Sequence, residues 1–151
     1  MIISDQTGQV LPGTILSLSM VGGLGVTATP ALTDFVEEAE RVSLKYAHSA
    51  LETSLNVNHM LAGLKQSGKL IIDGQTVKLK HGYPVADIAE LEKVASFGTQ
   101  ILERNSSNSI KVWSLYKSWC FVYTEAAKNG SVTTSAQIGE INAASEGKCK
   151  S

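Results

Sequence analysis

No charged residue occurs between Gln6 and Thr33, a run of 28 residues. Such a run is long enough for a bilayer core, which needs roughly 20 apolar residues as helix. The residues ahead of Gly8, MIISDQT, contain Asp5 and no Lys or Arg. They therefore supply neither the basic start of a secretory signal nor a charge bias that orients a membrane span. Basic runs longer than a pair are absent and the net charge is −1, which argues against nucleic-acid binding by electrostatics. Cysteine is scarce: Cys120 and Cys149 stand alone, with no CxxC or Cys–His spacing suited to zinc. No G-x-S-x-G elbow occurs. Gly22-Gly23-Leu24-Gly25 lacks the Lys-Ser/Thr of a phosphate loop and the strand context of a dinucleotide fold, so packing explains it better. Of the three histidines, His48 lies four residues from Glu52, but no third ligand falls at helical spacing and His59 sits at another angle. Solvated helix histidines are the expectation. These absences lead to a reading with no catalytic residues, no metal and no cofactor.

What is present begins with the uncharged run itself. Gly13, Gly22, Gly23 and Gly25 each weaken a helix by about 1 kcal/mol relative to Ala. Pro12 and Pro30 remove amide donors, and Ser and Thr dilute the hydrophobicity. Small residues also suit close helix–helix packing. The run therefore reads either as a helix meant for lipid or protein, or as a glycine-rich, mobile N-terminus. Thr29-Pro30 reads as a helix start, with Thr as N-cap and Pro in the first turn. From there Leu32, Phe35, Val36, Ala39, Val42, Tyr46, Ala50, Leu51, Val57, Met60, Leu61 and Leu64 recur at three and four. This stripe is expected to pack on a sheet. Asp34, Glu37 and Glu38 occupy the first turns, and Glu37 and Arg41 form an i, i+4 pair. Ser67-Gly68 ends the helix. If the uncharged run is helical too, one helix exceeds 50 residues, long for a globular fold.

At 151 residues one domain is expected, and the residues after the first 30 suffice for one modest core. Charged residues make up only 18%, which fits a secreted or surface protein better than a cytosolic one. KLIIDGQTVKLK, residues 69–80, places two β-prone runs around Asp73-Gly74, a hairpin signal. Residues 87–97 read as a short helix that Gly98 caps, and 105–108 as a polar turn. Residues 109–115 and 119–124 read as strands turning near Lys117-Ser118, and 131–138 as a last strand after the turn at Lys128-Asn129-Gly130. The tail 142–151 is polar and looks anchored only by Cys149. A long helix followed by antiparallel strands is α+β. Trp113, Tyr116 and Trp119 are close in sequence; core or inter-subunit packing suits them better than a ligand platform. In an oxidising compartment Cys120 and Cys149 would close a loop of about 30 residues; buried free thiols are the other reading. Asn105-Ser106-Ser107 and Asn129-Gly130-Ser131 match a glycosylation acceptor but are first of all turns.

The start of the chain resembles the type IV pilins, which carry a leader ending in Gly, then a hydrophobic helix with a Gly midway and an A-T-A-x-P-like end. With Gly8 as the last leader residue and Gln9 as the first mature one, Gly22 falls on the mid-helix glycine, and Thr27, Ala28 and Pro30 fall on the Thr, Ala and Pro without a gap. VKLKHGYP (77–84) and CFVYTEA (120–126) resemble segments of mannose-sensitive haemagglutinin pilins. Where the family has phenylalanine and glutamate near the start of its mature chain, this sequence has Gln9 and Gly13. The resemblance implies a leader at 1–8, a long helix at 9–64 and a head at 65–151 with a Cys120–Cys149 staple. It implies filament-core packing by Val10, Leu11, Ile15, Leu16, Leu18, Met20, Val21, Gly22, Leu24, Val26 and Pro30. It also implies a helical homopolymer, partnered by other pilins and the pilus assembly machinery, exported through the inner membrane to an extracellular pilus with a role in adhesion. Two rivals remain: a surface binding module that does not polymerise, which Gly13 favours, and a small secreted hydrolase, which would need a Ser–His–acid cluster.

Overall fold

A computed structural model describes the backbone of residues 10–65, 68–145, 148 and 149, with side chains for 32–64, 68–145, 148 and 149. The leader 1–8, the junction Gly8–Gln9 and the side chains of the expected filament-core positions lie outside these described residues. Helix α1 runs Val10–Lys65, 56 residues, so Thr29-Pro30 is not a helix start but lies within it. By contacts the chain divides into two units, Met1–Glu38 and Ala39–Ser151.

In the second unit the order after α1 is β1 (Lys69–Ile72), β2 (Gln75–Lys80), β3 (Tyr83–Pro84), α2 (Ile88–Glu92), β4 (Ile101–Ser106), β5 (Ser109–Trp113), β6 (Trp119–Thr124), β7 (Ala127–Asn129), β8 (Val132–Thr134), β9 (Gln137–Ile138) and β10 (Asn142–Ala143). The fold is α+β with antiparallel sheets. Strands β1, β2 and β3 form one, β10-β6-β5-β4 with β9 also on β6 form the second, and β7–β8 make a separate hairpin. Asp73 and Gly74 take φ of 48° and 78°, the pair of positive values that a two-residue turn matched to strand twist requires. Asp87 caps α2 by accepting from the Ala89 amide at 3.1 Å. That helix is shorter than the sequence suggests: Val94 and Ala95 bond back to the Leu91 carbonyl, and the chain then turns to bury Phe97.

The core lies between α1 and the central strands. Ile110 faces Tyr123 and Val112 faces Phe121 across β5–β6, so these four side chains share one sheet face. Leu44, Ala47, Leu51 and Leu55 of α1 cover them, with Ala86, Leu91 and Phe97 filling the side. A smaller cluster joins Ala62 to Leu70, Val77 and Leu79 of the hairpin. Cys120 and Cys149 are bonded, with Cα atoms 5.8 Å apart. The tail is held by more than that bond: Asn142 pairs with Cys120, Ala143 with Trp119, and the Ala144 amide donates to the Ser118 carbonyl. The expected last strand, 131–138, is two short ones, β8 and β9, on different partners.

Candidate assembly surface

A helix shows the solvent whatever face its anchors leave over, so the anchors come first. The buried positions of α1 are Glu40, Leu44, Ala47, Leu51, Leu55, Asn58 and Ala62, spaced by four and three. Glu40 accepts from the Tyr116 amide at 2.7 Å and from the Ser114 hydroxyl at 3.3 Å, which ties the helix to the turn between β5 and β6. Gln100 donates to the Ser43 hydroxyl at 2.8 Å. His48 Nε2 donates to the Gly139 carbonyl at 3.1 Å while its ring and that of Phe121 pack T-shaped, with centroids 5.0 Å apart. His59 stacks on Tyr83 with centroids 4.4 Å apart, over Gly82, where φ is +85° and a Cβ would come within 2.7 Å of the imidazole. His48 is thus a half-buried packing residue, while His59 stays exposed to solvent with one face on Tyr83.

Three further glutamates clamp the unit. Burial pushes the Glu90 carboxyl up, but the Lys78 amide and the Lys93 ammonium, both at 2.9 Å, outweigh it and leave the group below its ordinary range. Burial likewise opposes ionisation of Glu125, and the Ala86 amide at 2.8 Å with the Lys80 ammonium at 2.6 Å prevails. Lys117 and the Trp113 indole N–H lower Glu103. Burial, with the charge of Glu125, pushes the Tyr123 phenol well above its usual range, and that hydroxyl donates to the Pro84 carbonyl. Folded values below the unfolded ones mean that stability is present above the ordinary glutamate range and is lost as pH falls through the folded values. The thermal midpoint is therefore expected to stay level from pH 7 to about pH 5 and to fall steadily below about pH 4.3. A midpoint unchanged down to pH 3 would contradict these clamps.

With α1 so fixed, the stripe expected to pack on the sheet faces outward, apart from Leu51. Tyr46 is 74% exposed, Met60 70% and Leu64 82%, with Val42, Val57 and Leu61 also open. The sequence carries two apolar stripes on one helix, and the stripe through Leu44, Ala47, Leu51 and Leu55 is the one used. Beside the uncovered face, Ile71 at the hairpin tip is 68% exposed. Between helix and hairpin lies an open groove of about 700 Å³, lined by Tyr46, Ala50, Thr53, Val57 and Leu61 of α1 and, on the hairpin side, by Ile71 and the charged Asp73. The charged residues of α1 within 39–64 are Glu40, Arg41, Lys45 and Glu52, and none lines this groove. Exposed apolar residues gathered on one face, rather than scattered singly, are a pattern that interaction sites share.

Among the described residues no group of three or more His, Cys, Asp or Glu side chains could hold a metal ion. Trp113 is buried, Tyr116 is exposed and Trp119 sits under Arg41, so the three aromatics do not make one platform. Among the described residues no helix is long and apolar enough to cross a membrane. The polar anchors Glu40 and Asn58 escape a search for apolar periodicity; their only trace in the sequence is the four–three spacing they share with Leu44, Leu51 and Leu55. No family model, curated protein or solved structure matches this chain.

Proposed function

We propose that this chain is a structural subunit of a type IV pilin-like filament, not an enzyme, assembled through α1. The observation that carries the proposal is the uncharged, uncovered face of α1 from Val42 to Leu64. It is supported by the uncharged run 6–33 at the start of the chain, by a helix laid on an antiparallel sheet, and by a C-terminal disulfide. Burying a Val, Leu, Ile or Met side chain is worth roughly 1.5–3 kcal/mol, so the apolar residues from Val10 to Val26 and those on the open face both gain from cover. Copies of the same chain supply it: small residues let helices approach, and neighbours satisfy the backbone groups freed at Pro12 and Pro30. On this reading 1–8 is a leader cut between Gly8 and Gln9. The partners are further copies, other pilins and the assembly machinery, and the route leads through the inner membrane to an extracellular pilus. A chain shortened to begin near Pro30 is expected to be far more soluble than the full chain, which is expected to form filaments or require detergent. A full chain that stays monomeric in plain buffer would refute the proposal.

A further inference from the structure

The charges of this chain are segregated. All 13 Lys and Arg residues lie after residue 38. Residues 1–38 contain Asp5, Asp34, Glu37 and Glu38 and no base, a charge of −4; since the chain totals −1, residues 39–151 carry +3. On a helix only positions three and four apart are neighbours. At those distances Asp34 has Pro30, Ala31, Glu37 and Glu38, which offer no cation. Lys45 has Arg41, Val42, His48 and Ser49, which offer no carboxylate. Glu52 is seven residues from Lys45, about 10 Å along the axis. Each end of this segment therefore holds a charge that its own helix does not balance.

Lys45 stands at a cleft of about 410 Å³ between α1 and the 138–141 segment, lined also by Arg41, His48 and Trp119 and by a single carboxylate, Glu140. The Arg41 guanidinium lies 5.3 Å from the Trp119 ring centroid, which gives the cleft a cationic rim over an aromatic wall. Asp34 is exposed, and unlike Glu37 it has no base four residues on.

We propose that this cleft receives the carboxylate of Asp34 from a second copy of the chain, at Lys45, and that this ionic contact sets the register of assembly. The inference rests on the filament reading. It supplies a charge pair that Gly13, with no carboxylate to offer, cannot. The apolar face of α1 provides non-directional attraction, and complementary charges fix which residues meet and suppress wrong alignments.

Charge reversal in the full chain tests the pairing. Lys45→Glu, and separately Asp34→Lys, are each expected to raise the concentration for half-assembly about tenfold at low salt. The combined double variant is expected to return to within about twofold of wild type, with far-UV circular dichroism unchanged throughout. Single reversals without effect would overturn the inference, and so would a combined variant that recovers nothing. If Lys45→Glu assembles normally while Val57→Asp does not, self-association through α1 stands and the ionic register falls. If the wild-type chain does not assemble at all, the filament reading fails first.

Discussion

Leu51→Ala is expected to destabilise the 39–151 unit by about 2–5 kcal/mol, while Val57→Ala changes its stability by less than about 0.5 kcal/mol. Both residues lie on α1, six positions apart, and a reading of apolar periodicity alone treats them alike. Leu51 is fully buried beneath Phe121 and Tyr123, and truncating it leaves a cavity in a close-packed core. Val57 is 47% exposed in the groove beside the hairpin, so truncation removes little that the folded unit uses. Urea unfolding of the shortened, unassembled chain separates the two, provided the slopes match and only the midpoints move. Equal losses would mean that the head covers both faces of the helix, and the open surface would not exist.

Cys149→Ser is expected to cost about 3.5 kcal/mol, the loop-closure value for a bond across a sequence separation of 29. The loop so closed contains β7 to β10, whose strands are two or three residues long. The mutation does not release the tail completely, because Asn142 still pairs with Cys120 and the Gly139 amide still donates to the Val122 carbonyl at 2.8 Å. Amide exchange should therefore quicken first in 142–145 and only later in 137–139, with β5 and β6 unaffected. Reducing the wild-type protein should reproduce the mutant's midpoint. A mutant as stable as the oxidised wild type would show that strand pairing alone fixes the tail.

The parts of the fold legible in the sequence are those where one residue type is nearly obligatory. Asp73-Gly74 reads as a hairpin turn because few other pairs accept two positive φ values. The β5–β6 pair is legible because Ile110, Val112, Phe121 and Tyr123 are apolar on a period of two. Strand β4 is not: ILERNS has a mostly exposed face and a bulge between Arg104 and Ser106, so neither alternation nor hydrophobicity marks it. The buried face of α1 was hidden by its polar members. Glu40 and Asn58 interrupt the apolar pattern, and a second, more apolar stripe from Val42 to Leu64 outweighs it. Apolar residues gathered on a face that the fold leaves in water bring no gain to the monomer, and the proposed assembly gives them a use. That is why the face misread as core becomes the candidate surface for assembly.

Sedimentation velocity of the full-length chain beside its Val57→Asp variant tests the central claim most directly. The variant places one carboxylate in the groove and touches nothing in the core. The wild-type chain is expected to sediment as large assemblies. The variant is expected to shift toward small species, with an unchanged urea midpoint in the shortened chain. Identical sedimentation of the two, with wild type assembled, would show that this face of α1 takes no part in self-association.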